Sequence, residues 1–186
     1  MTTTITGATG VSQVQAGAIE HGDLPAGSVL NVIQTHVATT STQSLTSSTR
    51  ANITGLTATI TPKSTSSKIM VEVRWVGEFS NANNYDTVFG IRRGGVDVGN
   101  PVAAGSRYTG ISGITIGYDS QEAHSTPDSA MYSYLDSPAA SGSVTYTASI
   151  LHRYTGTLYN NRTVDDADGV NYERLTSSIT LTEIAG

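Results

Sequence analysis

Lys68-Ile69-Met70-Val71-Glu72-Val73-Arg74-Trp75-Val76-Gly77-Glu78-Phe79 is the stretch on which the fold turns. Ile69, Val71, Val73, Trp75 and Phe79 fall on one parity, while Glu72, Arg74 and Glu78 fall on the other. Successive side chains of an extended strand point to opposite faces, so this period of two reads as a strand with one core face and one wet face. The same alternation sends Val144, Tyr146, Ala148 and Ile150 inward and Thr145, Thr147 and Ser149 outward. It recurs at Leu56, Ala58 and Ile60 and at Ile179 and Leu181, and Phe89 and Ile91 extend the core.

Turn residues punctuate these runs: Pro62 with Ser64 to Ser67, Asn81 to Asn84, Gly94-Gly95, Ser137-Pro138 and Asp165 to Gly169. Gly94-Gly95 between Arg93 and Val96 predicts a tight hairpin, because glycine tolerates the positive φ of primed turns. Many short strands with no intervening helical pattern predict an all-β, antiparallel two-sheet β-sandwich, jelly-roll-like in connection, with an immunoglobulin-like sandwich as the other candidate. Trp75 has no cysteine pair around it, which gives a true immunoglobulin domain little support.

Composition agrees. Charged residues make up 13% of the 186, against about 25% in ordinary soluble domains. Ser and Thr favour turns and strands over helix interiors. Lysine occurs only at Lys63 and Lys68, and the net charge is −5 with no basic stripe, which argues against nucleic acid as a partner. Without cysteine there is no disulfide, thiolate nucleophile or thiolate metal site. The start, Met1-Thr2-Thr3-Thr4-Ile5, reads as neither a secretion signal nor a membrane anchor, and no apolar run suggests membrane insertion.

Residues 1–27 carry isolated aliphatics, Ile5, Val11, Val14, Ile19 and Leu24, too sparse to close a core. They read as an attachment arm before a head domain at 28–186, held by a partner, with docking on the chain's own domain as the alternative.

No chemistry stands out. Gly110-Ile111-Ser112-Gly113 lacks the glycine two residues after serine that a nucleophile elbow uses. His21, His36, His124 and His152 have no metal-ligand spacing. The Asp165 to Gly169 loop evokes a calcium loop, but its first position would be Val164 and its twelfth Leu175, so it reads as an acidic turn. We therefore expect a non-enzymatic protein with no cofactor and no metal. Asn52-Ile53-Thr54 and Asn161-Arg162-Thr163 fit the glycosylation pattern and are read as unmodified.

Gly27-Ser28-Val29-Leu30-Asn31-Val32-Ile33-Gln34-Thr35, the run Ile53 to Val71, Leu135-Asp136-Ser137-Pro138 and the stretch Ser178 to Ile184 together resemble a β domain of structural proteins of tailed bacteriophages, notably aquatic ones. Val14 to Pro25 is similar to short repeats that precede tail-fibre head domains. The likeness covers most of residues 27–184, least at Gly99 to Met131. It implies a virion component made in the bacterial host cytoplasm, a homotrimer attached to other virion proteins through residues 1–27. Fibre and capsid decoration roles both stay open, as does a soluble lectin or adhesin. Apolar residues on both faces of Val29 to Ile33 independently leave strand surface for sister copies.

Candidate contact residues are Tyr85, beside Asn83 and Asn84; Tyr108, Tyr118 and His124 within Gly99 to Met131; and Tyr159, beside Asn160 and Asn161. Tyrosine set among small polar residues gives rigid amphipathic contact area, and a host surface glycan is the expected target. The competing reading makes Ile111, Ile114 and Ile116 a further strand and packs these tyrosines between subunits.

Overall fold

The computed structural model describes residues 19–80, 85–114 and 124–186. Its described residues form eleven strands: β1 Val29–Val37, β2 Ser41–Leu45, β3 Thr49–Ile60, β4 Lys68–Phe79, β5 Thr87–Arg93, β6 Val96–Val98, β7 Ser112–Gly113, β8 Asp128–Asp136, β9 Val144–His152, β10 Gly156–Asn160 and β11 Ser177–Ile184. None of the described residues belongs to a helix long and apolar enough to cross a membrane.

Two antiparallel sheets face each other. In the first, β8 pairs with one side of β4, while β11 and β10 pair end to end with the other side. β1 then pairs with β11, and β2 with β10. The second sheet runs β3-β9-β5, with β6 and β7 sharing the far side of β5. Counted as one strand each, β1 with β2, β6 with β7 and β10 with β11 reduce the chain to eight. The orders are then first-eighth-third-sixth and second-seventh-fourth-fifth, the two interlocked Greek keys of a jelly roll.

The alternating residues fill the space between the sheets. Ile69, Val71, Trp75, Phe89, Ile91, Tyr146, Ala148, Ile150, Ile179 and Leu181 are all fully buried. Trp75 stands at the centre, its ring 5.1 Å from Phe89 and 5.8 Å from Phe79. Its indole N–H donates to Asn160 Oδ1 at 2.8 Å, which satisfies the one polar atom such a ring brings inside. Gly94 and Gly95 turn at φ of +56° and +87° between β5 and β6, the expected primed hairpin.

Three details depart from simple alternation. β3 carries a bulge between Asn52 and Thr57, which lets Ile53 and Leu56 both reach the core although their parities differ. Gln43 holds that bulge open: its amide donates to Asn52 O and its carbonyl accepts from Thr54 N. Glu78, expected on the wet face of β4, is buried, because the chain between β10 and β11 crosses over it. Ser149, read as outward, is also buried, beneath the Arg50 guanidinium that donates to its hydroxyl.

The strand pair β10 and β11 is one strand interrupted by residues 161–176. Asn161 closes the interruption. Its amide donates to Val37 O and Thr39 O, where β1 breaks into β2, and its Oδ1 accepts from Ser177 Oγ. Leu175 N returns to Asn161 O, so the excursion leaves and rejoins the sheet at one point.

Candidate contact surface

β4 and β9 finish, and β5 begins, at one end of the sandwich, and the side chains just past those ends assemble into a cluster. His152, the last residue of β9, is buried and stacks on Phe79, the last of β4, with ring centroids 4.9 Å apart. Its Nδ1 shares a hydrogen bond of 2.8 Å with the hydroxyl of Thr87, while its Nε2 has no hydrogen-bond partner among the described residues. Burial pushes the imidazole below its ordinary pKa, against a smaller opposing pull from Asp86.

Tyr154 lies edge-on to His152 and edge-on to Tyr85, at 5.7 Å and 5.9 Å. A hydrogen bond with Tyr85, then burial, raises the Tyr154 phenol above its usual range. Arg153 lies over the Tyr154 ring at 5.4 Å and is paired with Asp86 at 2.8 Å. The turn between β2 and β3 buttresses the group: Ser47 Oγ donates to Arg153 O, Ser48 N donates to His152 O, and Ser48 Oγ is 2.6 Å from the Tyr108 hydroxyl. Ser48 and Asp86 both sit at φ of +56°, a left-handed conformation that non-glycine residues adopt only where surrounding contacts hold them.

The result is a partly exposed aromatic step, Tyr85 and Tyr154, rimmed by a guanidinium, a carboxylate and hydroxyls. Rings of this kind pack against apolar C–H faces, and the rim can donate to and accept from hydroxyl groups.

Two candidate residues read from sequence, Tyr85 and Tyr108, thus belong to one cluster. Tyr154, Arg153 and Asp86 belong to it as well and were not singled out. Tyr154 stands two residues past the alternating run that ends at His152, and only the strand order brings it beside Tyr85.

His124 and Tyr159 belong to a second group, around the excursion between β10 and β11. His124 lies 3.8 Å from Asp165, and Tyr159 lies beneath the Arg162 guanidinium at 4.6 Å. Arg174 grips Asp166 through two bonds of 2.8 Å and 2.7 Å, with Arg162 3.5 Å away. The acidic turn is therefore cross-linked by arginines, and no cluster of three metal-ligating side chains occurs among the described residues. Ile111 and Ile114 pack on the core on either side of β7, a short strand where the competing reading expected one. Tyr118, Ile116, Asn83, Asn84, Ile5, Val11 and Val14 lie outside the described residues; Ile19 and Leu24 are exposed.

The buried carboxylates with assigned partners are structural. Glu78 accepts from Val164 N and Thr126 Oγ1, Glu183 from Lys63 N and Ser67 Oγ, and Asp136 from Arg93 and the Tyr146 hydroxyl. Burial, with the bond to Asp136, raises the Tyr146 phenol well above its usual range. No protein-family model matches this chain, and no curated protein matches it.

Proposed function

We propose that this chain is a non-enzymatic structural protein of a bacteriophage particle, held through its N-terminal arm and presenting the Tyr85–Tyr154 cluster to a glycan of the host surface. One observation carries the reading, the polarity of the sandwich. Gly27 N donates to Ala185 O and Ala185 N to Ser28 O, so the arm joins the body beside Lys68, where β4 begins. The aromatic cluster lies beyond Phe79, where β4 ends. At about 3.3 Å per residue the two poles stand roughly 36 Å apart. A module anchored at the first pole offers the second to whatever the particle meets.

The phage attribution rests on the resemblance of residues 27–35, 53–71 and 178–184, and jelly rolls serve both in viral shells and in lectins. Weak single sites suffice for such a role, because linked copies raise avidity by roughly 10²–10⁴ where geometry allows simultaneous contact.

The test is binding of the purified chain to an array of bacterial surface polysaccharides. Tyr85→Ala with Tyr154→Ala is expected to weaken the strongest signals at least tenfold with melting little changed. Absence of binding by the unaltered chain, combined with protection of phage shells against heat, would replace this reading with a decoration role.

A further inference from the structure

Beyond the last rung of the β5–β9 ladder, pairing continues through side chains. Thr87, where β5 begins, pairs with His152, where β9 ends. One residue further out on each strand Asp86 meets Arg153 at 2.8 Å, and one further again Tyr85 meets Tyr154 edge-on. The two rings of the aromatic step thus hang from a rung made of a threonine and a histidine. That rung is also joined at its side chains, by the 2.8 Å bond between Thr87 Oγ1 and His152 Nδ1.

The bond sets where the imidazole carries its proton. The Thr87 hydroxyl has one hydrogen and donates it to Tyr85 O at 3.5 Å, which leaves a lone pair for Nδ1–H. Nε2 is then a bare nitrogen, buried and without a hydrogen-bond partner among the described residues. A bare nitrogen is tolerated there. An N–H sharing a positive charge is not, because no acceptor meets it and water is shut out. Of the rings that close over the imidazole, Phe79 is buried and packed on Trp75, whereas Tyr154 is half-buried at the rim. Hydrating the cation therefore displaces Tyr154. The main chain of the rung stays in place, since Ser48 N donates to His152 O and Thr49 pairs on the far side.

Few charges face this ring among the described residues. β5 is preceded by Asp86, which favours the imidazolium, and β9 is followed by Arg153, which neutralises Asp86. The same two extensions bring the phenols of Tyr85 and Tyr154, and the β2–β3 turn brings the phenol of Tyr108 through Ser48. On β4, Glu78 is turned away to Val164 N and Thr126 Oγ1; on β3, Arg50 is turned away to Asp97 at 2.9 Å.

We infer that protonation of His152 takes the Tyr85–Tyr154 step apart, so that this pole holds its glycan at neutral pH and releases it in acid. The inference rests on the proposed glycan contact and adds its regulation.

Two titrations of the full chain, from pH ~7.5 to ~5, test this. In the first, without sugar, NMR follows the His152 ring together with 3-fluorotyrosine signals assigned through Tyr85→Phe and Tyr154→Phe. Both tyrosine signals are expected to move with the His152 midpoint, below ~6.5, while the indole N–H of Trp75 keeps its position in the core. Asp86→Asn, whose new side chain accepts the left-handed backbone, is expected to lower the shared midpoint, and His152→Gln to abolish the movement. In the second titration, binding to the array polysaccharide that the chain holds most strongly stays flat above the midpoint and falls about tenfold for each pH unit below it. Tyrosine signals that ignore the His152 midpoint overturn the inference, as does a Trp75 signal lost at that midpoint, which would mean unfolding of the whole sandwich. Binding that stays flat with pH sinks the acid release and leaves the proposed function standing. Tyrosines that follow His152 in a chain that binds no polysaccharide sink only the proposed function.

Discussion

At the scale of single residues, the sharpest consequences come from polar groups held inside. His152 is buried between Phe79, Tyr154 and Thr87, with its pKa depressed by desolvation, so its neutral form is the one compatible with folding. The unfolded chain takes up a proton near pH ~6.5 and the folded chain only at lower pH. Stability contributed by this group is therefore complete above the unfolded value and is lost as pH falls through the window beneath it. Melting temperature is expected to drop between pH 7 and pH 5, and to drop less in His152→Gln; an equal slope in both proteins would show that other groups govern it. Alternation places Glu183 on the core face with Ile179 and Leu181, yet nothing in its sequence surroundings tells that Lys63 N and Ser67 Oγ meet it there. Glu78 shows the converse, a carboxylate of outward parity buried by a segment far along the chain.

Among the elements, the β10–β11 strand depends on Asn161, which is fully buried at φ of +61° with three side-chain bonds. Asn161→Ala removes those bonds and leaves a left-handed backbone on a residue that disfavours it, so we expect a loss of about 3–5 kcal/mol in chemical denaturation. Asn161→Gly relieves the backbone term and should recover about 1 kcal/mol of it. A variant of unaltered stability would remove the hinge role. Sequence periodicity located β4 and β9, in which five and four apolar residues alternate, and marked β3 and β11 by shorter runs of three and two. It gave no hint that one strand is split, since Gly156–Asn160 shows no alternating apolar run and Asp165 to Gly169 read only as a turn. β6 and β7, two or three residues long, cannot display a period; β6 was legible only through the Gly94-Gly95 turn, and β7 only through the competing strand reading around Ile111 and Ile114.

For the whole molecule, strand order is what brings Tyr85, Tyr108 and Tyr154 to one end, and order is a long-range property that local pattern does not contain. Composition and alternation reached the two-sheet class; the jelly-roll connection stood as one of two candidates until the pairing of β4 with β8, β10 and β11 decided it. The arm belongs to this scale too. Residues 19–27 bury nothing, so removing residues 1–26 is expected to shift the melting temperature by no more than a few degrees while abolishing incorporation into particles. Loss of folding would make the arm part of the body. The antiparallel pairing of β1 with β11 also has a mechanical side. Tension drawn between Ser28 and Tyr154 runs along β1, at right angles to its ladder of hydrogen bonds. The bonds are then strained together in shear instead of being unzipped singly, and the sandwich resists extension along the very line on which an anchored, adhering particle would pull.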